Sequence, residues 1–190
     1  MRLLTMPLSL LLCGLLGGQP AASWVEQGER AYQKTQYPEA VQDFERAISQ
    51  DPSNVRGLLD LGSAYVIQWV PGEPSLANRE TSSKARANFQ LVLKLDPANK
   101  HALSSLANLS YYQPVPNPPD EALRAKQLAE ARDLYRRLAQ IDGTDKEAFY
   151  MQGVIAWADV FPAVQRAREK SDCEPTNLFR SPTTPNDRNC

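Results

Sequence analysis

A chain of 190 residues with 42% hydrophobic and 8% aromatic content can bury one compact core or a short repeat array, but not two sizeable domains. Its formal charge is −1 at pH 7, and −2 without the leading segment that carries Arg2. Such a field is too weak to gather nucleic acid or an anionic membrane surface, so neither is expected as a partner.

The first residues read as an export signal. Arg2 precedes an apolar stretch from Leu3 to Leu16, then Gly17, Gly18 and Pro20 break it, and Ala21-Ala22-Ser23 offers a small-x-small cleavage site. The stretch falls short of a comfortable membrane-spanning helix. Residues 1–23 are thus expected to be a signal peptide, and the mature chain to be periplasmic or extracellular in a bacterium. Membrane contact is expected only if the signal stays attached or Cys13 is lipidated; Leu12, bulky where such cysteines follow a small residue, argues against lipidation. Cys173 and Cys190 remain after cleavage, both in a Pro-rich tail, 171–190, expected to be disordered. Whether they pair is left open.

The strongest signal is an internal repeat. Ala40, Phe44 and Pro52 recur as Ala85, Phe89 and Pro97, and again as Ala131, Tyr135 and Gly143. Beyond each helix-ending residue lies another small one, Gly62, Ala107 and Gly153, with Gly28 in the matching place before the first set. One turn before each stands a bulky apolar residue: Trp24, Leu58, Leu103 and Phe149. The physical reading is two antiparallel helices per unit. A small residue on the first lets the second approach, and the aromatic of the second fills the gap. Pro52 and Pro97 end the second helices, so Asp51–Asn54 and Asp96–Asn99 are connecting turns.

This pattern resembles the tetratricopeptide repeat (TPR) family. Trp24, Gly28, Tyr37, Ala40, Phe44, Ala47 and Pro52 fall on the family's signature offsets, as do Leu58, Leu61, Gly62 and Tyr65, then Leu103, Leu106 and Ala107. Phe149 and Gly153 open a fourth unit. The resemblance spans roughly residues 22 to 158. It departs at Gln27, at Gly143 in place of proline, and in period: 45 and 46 residues separate the enders, against about 34 in the family. HEAT-like and armadillo repeats have periods of about 40–47 and are the competing reading. The surplus lies wholly between first and second helices, at Trp69–Pro74 and Gln113–Pro119, which favours TPR. The expected fold is an all-α, right-handed α-solenoid of TPR-like hairpins with lengthened second helices at Leu76–Leu95 and Glu121–Ile141. Ser75 and Asp120 are their candidate N-caps; the competing expectation for the insertions is a loose surface loop. Units are expected at about 24–54, 55–99 and 100–145, with a partial fourth at 146–170. That last part reads as a first helix, Lys146–Ala158, and a separate short cover, Pro162–Lys170.

No catalytic, P-loop, dinucleotide or metal-ligand motif occurs, and His101 is the only histidine. No enzyme activity, cofactor, metal or small-molecule substrate is expected. The resemblance implies instead that the first helices present a concave face to another protein or peptide. Carried over by position, that face would use Tyr32, Arg56, Ser63, Ile67, His101, Asn108, Tyr111, Tyr112, Tyr150 and Trp157. TPR domains that clamp a chaperone's C-terminal carboxylates use lysine, asparagine and arginine where this chain has Val25, Glu29, Asp60, His101 and Ser105, so that ligand is not expected. The function implied is an interaction scaffold or adaptor of the cell envelope. The alternatives are an accessory subunit of a larger envelope complex, or a lipid-tethered structural component.

Overall fold

The computed structural model describes residues 19–114 and 118–170. The leader up to residue 18 with Cys13, residues 115–117, and the tail 171–190 with Cys173 and Cys190 lie outside the described residues. Every regular element among the described residues is a helix: α1 Ala21–Gln33, α2 Tyr37–Gln50, α3 Val55–Gln68, α4 Leu76–Leu95, α5 Lys100–Tyr111, α6 Glu121–Ile141 and α7 Lys146–Lys170. α1 takes in the Ala21-Ala22-Ser23 triplet where the sequence places cleavage. None of these helices is long and apolar enough to cross a membrane.

The chain divides into two units. The first holds α1, α2, α3 and the part of α4 from Glu80; the second holds 70–79, with the first turn of α4, and the helices α5, α6 and α7.

In the first unit the small-to-aromatic nesting read from the sequence is present twice. A Cβ built on Gly28 would stand 2.6 Å from the Phe44 ring, and one on Gly62 would stand 2.8 Å from the Phe89 ring. No residue with a side chain fits either place while both rings stay fully buried. Ala40, Ala47, Leu58, Ala64, Ala85 and Val92 complete that core with no exposed surface. The α1–α2 turn closes with the Gln36 amide donating to the Ala31 carbonyl and the Thr35 amide to that of Tyr32, both at 2.9 Å. This double closure requires a left-handed residue, and Thr35 takes it at φ 61° where glycine is usual. Tyr65 on α3 donates its hydroxyl to Glu45 Oε1 on α2 at 2.6 Å.

Each following helix starts on a side-chain cap. Asn54 Oδ1 accepts from the Gly57 amide (2.9 Å), Asn99 Oδ1 from Ala102 (3.1 Å), Asp120 Oδ1 from Leu123 (2.9 Å) and Asp145 Oδ1 from Ala148 (2.9 Å). Ser75 Oγ likewise accepts from the Asn78 amide at 3.2 Å. The lengthened helices α4 and α6 therefore begin at the two expected caps. The first insertion is not a loose loop. Buried Asn78 donates from Nδ2 to the Val70 and Glu73 carbonyls at 2.8 and 2.7 Å and accepts from the Val70 amide at 2.8 Å. Gly72, at φ 75°, donates its amide to the Tyr112 carbonyl at the end of α5.

In the second unit α5, α6 and α7 pack through Leu103, Leu106, Ala107 and Leu109, then Leu128, Ala131, Tyr135 and Leu138, then Ala148, Met151 and Ile155. Here the structure corrects one expectation. Pro162 does not open a separate covering helix but sits inside an unbroken 25-residue α7. An interior proline costs a hydrogen bond and about 3 kcal/mol of helix preference. The 21-residue α6 offers α7 a long antiparallel bed, and ion pairs Arg132–Asp159 and Glu121–Arg166 on either side of Pro162 hold the helix to it. A second departure concerns Phe149 and Gly153: both are exposed, and a Cβ on Gly153 would meet nothing within 4 Å among the described residues.

Candidate functional site

The first-helix faces are supplied by α1 and α3 in the first unit and by α5 and α7 in the second. In the first unit, Tyr32 is half-buried and meets Tyr37 edge to face, with ring centroids 5.2 Å apart. Burial, then the charges of Tyr37 and Asp60, push its phenol pKa up. Arg56 does not reach out free, because its guanidinium is paired with Glu29. Ser63 turns its hydroxyl back onto the Leu59 carbonyl at 2.8 Å, and Ile67 is left 51% exposed.

In the sequence Asp60 stands out only as a non-matching clamp position, but folding makes it the most perturbed acid of this face. Burial, then the charge of Glu29 and a carboxyl–carboxyl hydrogen bond with it, raise the Asp60 pKa to about 6 against the counter-pull of Arg56. Asp60 Oδ2 is buried with no hydrogen-bond partner among the described residues. Asp60 therefore keeps its proton up to about pH 6, and above that its charge faces that of Glu29. The folded pKa lies above the ordinary 3.8. The contribution to stability is therefore full below pH 4 and is lost as pH rises through about 6. Asp60→Asn keeps a donor toward Glu29 and removes that loss. Denaturant melts should show the variant gaining about 1–2 kcal/mol over the wild type at pH 7.5, after allowance for partial solvent screening, and converging with it at about pH 3.

In the second unit, His101 stands at the second position of α5. Partial burial of its ring holds its pKa below the ordinary value. Asn108 is engaged: its Oδ1 accepts from the hydroxyl of buried Tyr135 at 2.7 Å. Burial first, then the charge of Glu147, keeps the Tyr135 hydroxyl protonated and hence a permanent donor. Tyr111 and Tyr112 end α5 as an edge-to-face pair, centroids 4.8 Å apart. Arg124 of α6 covers the Tyr111 ring at 5.3 Å and donates to the Tyr111 carbonyl at 2.7 Å. That clamp was not legible in the sequence, since it joins residues from opposite sides of the second insertion. It fixes Tyr111 and leaves Tyr112 43% exposed beside it. Tyr150 and Trp157 are exposed on α7, with Trp157 against Phe161 at 5.5 Å.

Seven of the ten residues thus separate into two kinds. Arg56, Ser63 and Asn108 are tied to neighbours within their own unit, whereas Ile67, Tyr112, Tyr150 and Trp157 present apolar surface to solvent. Among the described residues, no group of histidine, cysteine, aspartate or glutamate side chains is arranged to hold a metal ion.

Comparison with known proteins supports the fold. Residues 28–68 match a family model described as a TPR repeat. No curated protein matches the sequence. Among solved structures, the chain is similar to the first TPR of Spaghetti (RPAP3) bound to the HSP90 peptide SRMEEVD, with 19% identity, a TM-score of 0.56, and coverage of 74% of this chain and 93% of that one. It is similar to the second TPR domain of human RPAP3 in complex with the HSP70 peptide SGPTIEEVD, with 15% identity, a TM-score of 0.53, and 72% and 94% covered. The Arabidopsis OM64 TPR domain matches at 15% identity and a TM-score of 0.53, with 71% and 93% covered. The fold class is therefore the all-α solenoid of TPR domains, not a HEAT-like or armadillo array.

Proposed function

From a chain of the TPR fold that carries a TPR repeat at residues 28–68, we propose an interaction scaffold that grips a peptide or partner domain with its first-helix faces. The observation that carries this reading is the end of α5: Tyr111 is pinned by Arg124, and Tyr112 is held beside it with its ring half in solvent. A rigid aromatic with few rotors to freeze is the kind of group that anchors a peptide. Two solved structures of this fold hold chaperone peptides ending in EEVD. A different ligand is proposed here, because Glu29 and Asp60 stand where a carboxylate clamp needs donors, and Asp60 loses its proton above about pH 6. An apolar or basic segment suits that face better than an acidic C-terminus.

The leader from Arg2 to Ser23 supports placing the mature protein in a bacterial cell envelope as an adaptor or assembly factor. Its test is capture from envelope extract with wild type and Tyr112→Ala. The reading expects one or more proteins retained by the wild type and depleted at least tenfold by the variant, with unchanged helicity and melting. Equal recovery by both would remove the α5 face from the account. Mass spectrometry of the purified chain should find the mature terminus near Trp24; a modified Cys13 terminus would favour the lipid-tethered reading instead.

A further inference from the structure

The outer face of α7 carries both halves of the nesting pattern around one glycine. Phe149, four residues before Gly153, repeats the bulky-then-small order of the first helices. Trp157, four residues after it, repeats the small-then-aromatic order of the second helices, as in Ala40–Phe44 and Ala85–Phe89. In the first unit the equivalent glycines are covered, with a Cβ on Gly28 or Gly62 falling within 3 Å of an aromatic ring; over Gly153 nothing among the described residues lies within 4 Å.

At about 100° per residue, Phe149, Tyr150, Gly153, Trp157, Val160 and Phe161 form one stripe roughly 120° wide. The stripe lies opposite Ala148, Met151 and Ile155, which face α6 and are buried. The only charged residue between 149 and 161 is Asp159, which is turned to Arg132 of α6. Its large side chains are 53% (Phe149), 70% (Tyr150), 60% (Trp157), 54% (Val160) and 40% (Phe161) exposed.

We propose that this stripe is the contact surface of a homodimer, formed by α7 of two copies packed antiparallel about a two-fold axis. The occupant follows from the pattern. A helix that covers Gly153 as Phe44 covers Gly28 must present a small residue followed four later by an aromatic. The remaining residues 171–190 contain one aromatic, Phe179, with Pro175 four before it, so they hold no such pair. The exposed pair that fits is Gly153 and Trp157 itself, and a surface that carries both halves of a pattern is complementary to its own copy. Placing Gly153 against the partner's Trp157 sets Phe149 against the partner's Phe161 and Tyr150 against the partner's Val160, leaving no charge in the seam.

With side chains of about 200 Å² each, the exposed fractions amount to about 550 Å² per copy. The pair would bury about 1,100 Å², close to the lower bound of about 1,200 Å² for a specific interface, so a weak, concentration-dependent dimer is expected. The inference rests on the repeat pattern and not on the ligand face, although Tyr150 and Trp157 fall within the stripe.

Sedimentation equilibrium of the full chain from 1 to 300 µM tests it, with Gly153→Lys and Phe149→Ala compared to wild type. Neither residue is assigned to the ligand face, and both are exposed, so the variants should keep wild-type helicity and melt no lower than the monomeric wild type. The expected result is a monomer–dimer equilibrium in the wild type whose dissociation constant rises at least tenfold in each variant, while Tyr112→Ala dimerises normally. A wild-type chain that stays monomeric to 300 µM overturns the proposal and leaves the tail or another protein as the cover. A dimer that neither variant weakens overturns it too, by placing the contact elsewhere. Loss of dimerisation with partner capture intact would separate this inference from the scaffold reading.

Discussion

Gly62→Val should lower the stability of the chain by about 3 kcal/mol, roughly a 10 °C fall in melting temperature, with unfolding reported first by probes in α3 and α4. The cause is local. Phe89 is fully buried, and the new Cβ would stand 2.8 Å from two of its ring atoms. A buried ring cannot retreat without moving α4, whose Ala85 and Val92 are themselves fully buried on either side of it. The contrast is Gly153→Ala, measured where the chain is monomeric. There the new methyl meets nothing, and a helix-interior glycine is replaced by the best helix former, so a gain of about 0.5–1 kcal/mol is expected. Thermal or urea melts of the two variants give opposite signs if one glycine receives a ring and the other is open.

Tyr135→Ala is expected to have a comparable or larger effect, about 3–5 kcal/mol, because it empties a fully buried site at the centre of α5, α6 and α7 and removes a hydrogen bond. Tyr135→Phe separates the two contributions. The ring stays, but Asn108 Oδ1 loses its donor, which should cost about 1–2 kcal/mol. A wild-type melt for the Phe variant would mean that solvent satisfies Asn108. Because Asn108 lies one turn before Tyr112 on α5, the Phe variant should also loosen the end of that helix, visible as faster amide exchange at residues 109–112.

The fold was legible in the sequence where local chemistry and tertiary packing agree. The bounds of α4 and α6 follow from Ser75 and Asp120 as caps and from the proline-rich bends before them, and the structure places both helices there. Pro162 shows where that reading runs out. The local rule ends a helix at proline, but α7 is held on both sides of it by partners 27 and 45 residues away in sequence, Arg132 and Glu121, and distance along the chain hides them.

The candidate site divides the same way. Resemblance to a repeat family fixes which backbone positions face outward but not what each side chain does there. Arg56 is occupied by Glu29, and Asn108 by Tyr135. Arg124, from a helix that supplies no expected site residue, turns out to hold Tyr111. The raised pKa of Asp60 is equally a product of folding, since it needs burial and Glu29 of α1 brought beside α3.

The core of the first unit depends on hairpins whose second helix seats an aromatic on a glycine of the first, and the proposed face of α1 and α3 depends on that core. A double-mutant cycle between Gly62 and Phe89, using Gly62→Ala and Phe89→Leu, measures that seat directly. The account predicts that each single variant is destabilised and that the smaller leucine relieves the clash with the added methyl. The double variant should then be more stable than the sum of the singles implies by at least about 1 kcal/mol. Strict additivity, within about 0.3 kcal/mol, would mean that the two residues do not meet, and the nested-hairpin account would be wrong.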